Sequence, residues 1–183
     1  MQLETKRGLI TLRMVEPSDV ARFRALRLQA LGQHPEVYGS EYGEQAAQPD
    51  DYWQDRVSRT VGSEREALFV AEADGELVAM TGIFRDSGTK SHHNATIYGV
   101  YVRPEWRGLN LTDRLIERCL EWAQNHSVLV ALLAVISQNS SAIRCYIRCG
   151  FSVYGVQPMA IFHNGVYYDE LLMLRRVESV IND

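Results

Sequence analysis

The stretch Tyr101–Leu115, YVRPEWRGLNLTDRL, has residue types suited to holding an anionic group. An apolar run ends at Val102, a turn with a proline and a glycine follows, and the next apolar positions recur at helical spacing. A helix that begins near Gly108 to Leu111 leaves several backbone N–H groups unpaired at one place, where its dipole favours negative charge. Gly108 permits close approach of a ligand, and Asn110 tolerates left-handed backbone. The stretch predicts a phosphate-binding turn.

Several classes of function lose support from the sequence. The turn matches neither G-x-x-x-x-G-K-[ST] nor G-x-G-x-x-G, which disfavours nucleoside triphosphates and dinucleotides as ligands. A formal charge of -4 and a pI near 5.7 argue against a nucleic-acid surface. No apolar run approaches the roughly 20 residues that span a bilayer, and the N-terminus does not resemble a signal peptide. We therefore expect a cytoplasmic protein with no nucleic-acid or membrane partner.

The cysteine and histidine spacing does not predict a metal site. The three cysteines, Cys119, Cys145 and Cys149, are odd in number and form no C-x-x-C pair, so neither a disulfide framework nor a zinc site is suggested. His92 and His93 lie in a polar loop without further ligands at useful spacing. We expect buried thiols and no bound metal.

The first half of the sequence predicts four strands and two helices. A single domain over residues 1–183 is expected, because 46% apolar side chains in 183 residues are enough for a sizeable core. In order, the segments are the strand GLITLRMVE, the helix EPSDVARFRALRLQALGQ, a Gly- and Glu-rich loop, a helix at about Asp50 to Thr60, two strands around Asp74-Gly75, and the strand ATIYGVYV.

The second half alternates helices and strands. A helix from about Gly108 to His126 precedes VLVALLAVIS, an unbroken apolar run typical of a central strand covered on both faces. The short helix NSSAIRCYIRCG ends at Gly150, a plausible C-cap, and the strands FSVYGVQP and GVYYDELLMLRRV follow. About seven strands and four helices with one βαβ crossover indicate an α/β (α+β) domain around a mixed sheet.

Two motifs together resemble the GNAT superfamily of N-acetyltransferases. The family's V-x-P-x-[YW]-[RQ]-G-x-G-x-[GA] segment is matched at Val102, Pro104, Trp106, Arg107 and Gly108. Its N-x-x-A-x-x-x-Y-x-x-x-G-F segment is matched at Asn139, Ala142, Tyr146, Gly150 and Phe151. The element order over roughly residues 9 to 176 also looks like the family. The resemblance implies a mostly antiparallel, GNAT-type central sheet.

The resemblance also implies a co-substrate, acetyl-CoA, and a role for each matching residue. Backbone groups of the strand end would pair with the pantetheine arm, the following turn would hold the pyrophosphate, Asn139 would bond near the thioester, and Tyr146 would face the sulfur. The implied coenzyme A-binding residues are Val100, Tyr101, Val102, Arg107, Gly108, Leu109, Asn110, Leu111, Thr112, Asp113, Asn139 and Tyr146.

The chain departs from the family pattern at three positions. Asn110 and Thr112 stand where Gly and then Gly or Ala are usual. Asn can adopt the turn geometry and a Thr hydroxyl can donate to phosphate, so coenzyme A binding is expected to survive. Relatives that acetylate ribosomal protein N-termini carry a Glu where this chain has Ala134, which disfavours that substrate class.

Acyl transfer to an amine requires an acid for the departing thiolate and a base for the amine. Tyr146 is the candidate acid, although proton transfer from a phenol to a thiolate is uphill by about 1.5 pKa units, or roughly 2 kcal/mol. The candidate bases are Glu41, Glu44, Glu170 and His163, and each is also explained as a solvated surface residue. A weakly basic amine could instead react through a water.

The interpretation is an acetyl-CoA-dependent N-acetyltransferase that acts on a primary amine of a small molecule or peptide. The loop YGSEYGEQAAQPDDYW is expected to frame the acceptor pocket, with Tyr38, Tyr42, Tyr52 and Trp53 as walls and acids that attract a cationic amine. The alternatives are an acyl-CoA-binding regulatory module with little turnover, and an O-acyl or longer-chain acyltransferase. A homodimer is possible, with Leu171, Leu172 and Leu174 either at the interface or in the core.

Overall fold

The computed structural model describes residues 1–177 and shows one eight-stranded sheet with helices on both faces. Single 3-10 turns join several of the elements. No helix within residues 1–177 combines the length and the apolar content that crossing a bilayer requires. In chain order the elements are β1 (Gln2–Thr5), β2 (Gly8–Met14), α1 (Val20–Gln33), α2 (Tyr42–Ala46), α3 (Asp50–Ser58), β3 (Glu66–Ala73), β4 (Glu76–Arg85), β5 (Asn94–Val102), α4 (Leu111–Asn125), β6 (Val130–Ile136), α5 (Ser140–Arg148), β7 (Ser152–His163) and β8 (Val166–Arg176).

The sheet is mixed and mostly antiparallel, as predicted. Its order is β1-β2-β3-β4-β5-β6-β8-β7. Strands β5 and β6 pair in parallel, and every other neighbouring pair among the described strands is antiparallel. A parallel pair needs a long crossover, and α4 supplies it between β5 and β6. This crossover places the N-terminus of α4 beside the end of β5.

Each face of the sheet carries its own apolar core. Helices α4 and α5 cover one face, and the α4 side chains Leu115 and Ile116 are fully buried there. Helices α1 and α3 cover the other face through residues that include Phe23 and Trp53. Burying side chains of this size contributes roughly 1.5–3 kcal/mol each relative to leaving them in water. The two cores fix the strands and helices between which the site lies.

Strand β1 and helix α2 were not predicted from the sequence. Strand β1 pairs antiparallel with β2. The last partner pair is Thr5 and Gly8, beside the tight turn that joins the two strands. The four residues of β1, QLET, are too few to show an alternation of apolar and polar side chains. A hydrogen bond from the Leu12 amide of β2 to the Met1 carbonyl helps to hold β1 against β2. Helix α2 lies inside the segment predicted as a loop. It is one turn long and contains a glycine, so propensity gives little signal.

Strands β6 and β7 also differ from the predictions. Ala131, Leu133 and Val135 of β6 are buried on one face, but Ala134 on the other face is exposed, so this strand is not covered on both faces. The open face borders the cleft described below. Strand β7 continues beyond the predicted Pro158 to His163, because an irregularity with Met159 at φ 51° lets pairing with β8 resume.

Two predicted turns are confirmed. Asp74 and Gly75 have φ of 51° and 79° in the hairpin between β3 and β4, which is the backbone that an Asp-Gly pair favours. Gly150 ends α5 at φ 82°. Its amide bonds to the Ile147 carbonyl, and the Phe151 amide bonds to the Tyr146 carbonyl, which together form a Schellman motif. That motif fixes the last turn of α5, where Tyr146 lies.

Gly150→Ala is expected to lower the free energy of unfolding by about 1–2 kcal/mol, because only glycine adopts this φ without strain. An added Cβ would also lie 3.4 Å from Cδ of Arg175. Urea denaturation of the variant measures the loss. Gly43→Ala is the control, since Gly43 lies in α2 with open space around its Cβ position. Equal stabilities for the two variants would contradict this role of Gly150.

Candidate active site

A cleft of about 790 Å³ opens where β5 and β6 separate. The two strands pair over residues 94–96 of β5 and 130–132 of β6. Beyond that point, Gly99 adopts φ 64° and the register of β5 against β4 shifts between Met80 and Gly82, so that β5 turns away from β6. The segment Val100–Val102 therefore pairs with β4 on one side and faces the cleft on the other.

The cleft brings the predicted coenzyme A-binding residues together. All of them line it except Leu109, which is partly buried and packs against the core. The lining comes from β5, the turn after it, the start of α4, β6 and α5. This geometry provides an open strand edge at one wall and a helix N-terminus at one end.

The turn after β5 has the backbone of an anion site. Gly108 and Asn110 have φ of 77° and 57°, and Asn110 is the N-cap of α4, so its predicted left-handed conformation is confirmed. Within residues 1–177, the amides of residues 108–113 donate no backbone hydrogen bond. Several N–H groups therefore point outward at the positive end of the helix dipole. The Thr112 side chain is partly exposed in the cleft beside them.

Side chains hold the open edge of β5 in place. The Tyr38 hydroxyl donates to the Val100 carbonyl at 3.0 Å, and Arg107 Nε donates to the Val102 carbonyl at 3.2 Å. Arg107 Nη2 also donates to Nε2 of His34 at 2.9 Å. A carbonyl oxygen has two lone pairs, so both carbonyls keep acceptor capacity for an extended ligand along the strand edge.

Tyr146 is the buried phenol of the site. It is 6% exposed, its ring packs edge-on against Phe151 at 6.3 Å between centroids, and it lines the cleft. Its hydroxyl makes no hydrogen bond to any residue from 1 to 177. Burial raises the pKa of Tyr146 well above its ordinary value. The phenol therefore stays protonated over the working pH range and has a free donor for a ligand.

Asn139 caps a helix, a role that was not predicted from the sequence. It is the N-cap of α5, and its Oδ1 accepts hydrogen bonds from the Ala142 amide at 3.2 Å and from Ser141 Oγ at 2.9 Å. Such caps stabilise a helix by roughly 1 kcal/mol. Asn139 also lines the cleft, so it holds α5, and with it Tyr146, against this wall.

The four candidate bases lie in different surroundings. Glu41 and Glu44 are exposed near α2, and neither lines the cleft. His163 lies at the end of β7, opposite Val166 in the hairpin. Glu170 lies directly opposite Ile136, a cleft residue of β6, and burial raises the pKa of its carboxyl group. Glu170, like the other three, is not among the residues that line the cleft, but its raised pKa and its place opposite a cleft residue favour it among the four.

Several cleft residues were not identified from the sequence. They come from the segment after α1, from α5 and its approach, and from β8, and their polar members are His34, Glu36, Gln138, Ser141, Arg148 and Tyr168. The predicted acceptor walls are only partly supported by the geometry. Tyr38 lines the cleft, whereas Trp53 is fully buried in the core and Tyr42 is exposed.

The burial of Tyr38 predicts how the stability of the protein depends on pH. Burial raises the pKa of Tyr38 to about 12. Between pH 10, the ordinary phenol value, and pH 12, the unfolded chain has lost the proton that the folded chain keeps, so stability falls as pH rises. Tyr38 is expected to contribute about 1 kcal/mol to this fall between pH 10 and 11. Tyr98, Tyr101 and Tyr146, whose pKa values burial also raises, add to the total fall. Urea denaturation should show a shallower fall in Tyr38→Phe, and an unchanged fall in Tyr154→Phe, which removes an exposed hydroxyl. If the free energy of unfolding falls equally with pH in the wild type and in Tyr38→Phe, the raised pKa of Tyr38 is contradicted.

Two thiols and a carboxylate meet beside the turn, which the spacing did not suggest. The ligand atoms of Asp113, Cys145 and Cys149 lie within 4.8 Å of one another and are of types that hold zinc. Cys145 Sγ donates to Asp113 at 3.4 Å, and Arg148 bonds to both oxygens of that carboxylate. The hydrogen bond between the thiols raises the pKa of Cys145 and lowers that of Cys149. The Arg148 contact satisfies the carboxylate, and the expectation of no bound metal stays a prediction.

Arg27 and Arg56 place positive charge on the α1 side of the sheet. Arg27 lies in α1 among buried residues and Arg56 in α3. Burial, and next the nearby charge of Arg56, lowers the pKa of Arg27, but a guanidinium stays charged in proteins. Arg56 also lines a second cavity of about 590 Å³ on the far side of Tyr98, which borders both cavities.

Sequence relatives of known activity are acetyltransferases. The L-amino acid N-acetyltransferase AaaT of Escherichia coli (strain K12) is 27% identical over 168 residues, which cover 91% of this chain and 97% of that protein. The spermidine N(1)-acetyltransferase of the same organism is 25% identical over 120 residues, which cover 65% of this chain and 63% of that protein.

The fold is also found in a solved structure that contains the expected co-substrate. The putative acetyltransferase yncA from Salmonella typhimurium, with acetyl-CoA, superimposes with a TM-score of 0.80 at 19% identity, over 95% of this chain and 97% of that one. The model of the acetyltransferase (GNAT) family matches residues 28–151, a range that includes both motifs, the turn and Tyr146. The chain therefore belongs to the acetyltransferase (GNAT) family and is an acyltransferase.

Proposed function

We propose that this chain transfers an acetyl group from acetyl-CoA to a primary amine of a small molecule or peptide, by direct attack in a ternary complex. The cleft between β5 and β6 carries the proposal, because it joins free amides at the start of α4 to an unpaired phenol on α5. The two relatives act, by their names, on an amino acid and on spermidine. Both acceptors carry a primary amine, which supports that class.

The residues present suit coenzyme A. The outward amides of residues 108–113 and the Thr112 hydroxyl would hold the pyrophosphate. The open edge at Val100–Val102 would pair with the pantetheine arm as an added strand. Both placements follow the family, and the free edge and the unpaired amides are features of this chain. Asp113 is paired with Arg148, so its negative charge is offset near the phosphates.

In the reaction, the amine nitrogen attacks the thioester carbon, the C–N bond forms, the C–S bond breaks, and the nitrogen loses a proton. The sulfur leaves as a thiolate. Tyr146 would donate a hydrogen bond to that thiolate. Because burial raises the pKa of Tyr146, full proton transfer to the sulfur costs more than the roughly 2 kcal/mol of an ordinary phenol. A hydrogen bond to the developing charge therefore supplies most of the effect.

The cost of deprotonating the amine sets how much help a base must give. A Lys-type amine costs nearly 5 kcal/mol to deprotonate at pH 7, whereas the α-amine of a peptide terminus costs about 1.4 kcal/mol. The α-amine of a free amino acid lies between the two, because its neighbour is a carboxylate and not an amide. Glu170, with its raised pKa, would accept the proton through a water, and Ala134 provides no carboxylate at the position that ribosomal-protein acetyltransferases use.

The test is release of free thiol from acetyl-CoA in the presence of an amine panel. The panel holds α-amino acids, polyamines, aminoglycosides and short peptides, and a parallel series replaces acetyl-CoA with longer acyl thioesters and the amines with alcohols. We expect thiol release with acetyl-CoA and at least one amine. Binding of acetyl-CoA without release across the panel would favour the regulatory module, and release with alcohols or longer chains alone would favour the other alternative.

The oligomeric state and the compartment stay predictions. Leu171, Leu172 and Leu174 are partly buried in β8, so they lie mostly within the sheet. Several exposed large apolar side chains lie on the neighbouring edge strand β7, among them Val153, Tyr154 and Val156. Sedimentation equilibrium tests the possible homodimer.

A further inference from the structure

Arg27 is a buried cation beside the cleft. The residue is 6% exposed, and its Nε and Nη1 atoms are buried without a hydrogen-bond partner in residues 1–177. Its Cζ lies 4.8 Å from the centroid of the Tyr38 ring, and its Nη1 lies 3.9 Å from where a Cβ on Gly99 would stand. Tyr38 and Gly99 both line the cleft. The guanidinium thus lies against two residues that line the cleft, although Arg27 is not itself part of the lining.

No carboxylate of the described chain neutralises this charge. The groups that act electrostatically on Arg27 are Arg56, which is itself positive, and the hydroxyls of Tyr38, Tyr52 and Tyr98. Arg56 bonds to the Tyr52 hydroxyl at 3.3 Å and forms no ion pair with residues 1–177. Leaving a buried charge unpaired is strongly unfavourable. The nearby half-buried Arg56 adds to that cost, which a bound anion would relieve.

The other buried charged side chain within residues 1–177 is fully paired. Asp19 is 0% exposed, and it accepts hydrogen bonds from Arg13 and Arg22. The unpaired state of Arg27 is therefore a local property of this site. A buried cation that lies directly behind two cleft-lining residues and has no hydrogen-bond partner at Nε or Nη1 is suited to a ligand group of opposite charge.

The position of Arg27 indicates which ligand carries that charge. Gly99 immediately precedes the open edge Val100–Val102, whereas the expected pyrophosphate site at residues 108–113 follows that edge. The anion at Arg27 would thus lie at the end of the cleft away from the phosphates. The group that reaches this end is the acceptor. A guanidinium donates charge-assisted hydrogen bonds to a carboxylate, and the Tyr38 ring holds the Arg27 guanidinium in place beside the cleft.

We propose that the acceptor is an amine that also carries a carboxylate, as an α-amino acid does, and that Arg27 binds this carboxylate. The inference rests on the proposed function and specifies the substrate class of the same site. The inference also differs from one expectation from the sequence, that acids in the loop after α1 attract a cationic amine. The acids Glu41 and Glu44 do not line the cleft, and Asp113 in its lining is paired with Arg148, which leaves Glu36 as the carboxylate there that could attract a cationic amine. Because the buried charge of Arg27 lies against Tyr38 in the same wall, an acceptor with its own carboxylate is favoured over a polyamine.

Matched acceptors test the carboxylate in the wild-type enzyme. For each of several side chains, kcat/KM is measured for the free amino acid, its amide and the amine without the carboxyl group. The amide's amine is less basic and more often deprotonated at neutral pH, so basicity cannot produce a preference for the acid. We expect kcat/KM for the acid to exceed that for the amide by about 10²-fold, as for other buried charge pairs.

Variants then assign the preference to one side chain. Arg27→Met should reduce the acid-to-amide ratio to near one, mainly through a higher KM for the acid, and Arg27→Lys should restore part of it. Arg24→Met is the control, because Arg24 lies on the same helix and pairs with the exposed Asp50. It should keep the wild-type ratio. Circular dichroism verifies folding, and if Arg27→Met does not fold, the Lys variant and the wild-type ratios decide.

The outcomes separate this inference from the proposed function. Acetylation of amides and plain amines as efficient as that of the acids would overturn the carboxylate inference and leave the acetyltransferase proposal standing. A retained acid preference in Arg27→Met would overturn the assignment to Arg27. Acetyl-CoA binding with no thiol release for any amine would overturn the proposed function, and the inference with it.

Discussion

Tyr146→Phe is expected to lower kcat by roughly 10²- to 10⁴-fold while the Kd of acetyl-CoA stays unchanged. The change removes one oxygen and keeps the ring that packs against Phe151, so the end of α5 should fold as in the wild type. What is lost is the free hydroxyl in the cleft. Since the thiolate develops only as the C–S bond breaks, the loss falls on the transition state and spares binding.

Pre-steady-state thiol release and calorimetric titration with acetyl-CoA measure these two quantities separately. Tyr154→Phe is the matched control, because it removes a hydroxyl from an exposed tyrosine on β7. It should keep the wild-type kcat and Kd. Wild-type turnover in Tyr146→Phe would remove this phenol from the mechanism, and a large rise in the Kd would move its role to binding.

Gly108→Val is expected to weaken acetyl-CoA binding by roughly 10- to 100-fold. Gly108 has φ 77°, a conformation that a β-branched residue avoids at a cost of roughly 1–3 kcal/mol. Valine would shift the turn toward a negative φ and turn the amides of residues 108–113 away from a common point. No protein atom lies within 4 Å of the position of the new Cβ, so the side chain itself fits the free protein.

Gly165→Val controls for the strain. Gly165 has φ 81°, also has open space around its Cβ position, and lies in the hairpin between β7 and β8. The two variants should lose similar stability in urea denaturation. Only Gly108→Val should weaken binding in calorimetric titration. Equal Kd values for Gly108→Val and the wild type would mean that the turn does not hold the pyrophosphate.

The sequence was sufficient for the features that local rules control. The Asp74-Gly75 hairpin, the Gly150 cap and the left-handed Asn110 each follow from what one residue type can adopt. The mostly antiparallel sheet and the family follow from the two motifs together with the order of strands and helices. These predictions needed no knowledge of distant contacts.

Features that depend on distant contacts could not be predicted. Arg27 lies in a helix with arginines at positions 22, 24 and 27, and no local signal shows that only the last of these is buried without a carboxylate. The Asp113 cluster joins residues 32 positions apart along the chain. The missed β1 and α2 are short, so their formation depends on the sheet edge and on α1 rather than on their own propensity.

We propose, as the central claim, that the cleft between β5 and β6 binds acetyl-CoA with its pyrophosphate on the turn and its sulfur at Tyr146. A crystal structure of the complex with coenzyme A tests it most directly. We predict phosphate oxygens within hydrogen-bond distance of the amides of residues 108–113, and the sulfur within hydrogen-bond distance of the Tyr146 hydroxyl. A coenzyme bound elsewhere, or a sulfur remote from this phenol, would contradict the claim.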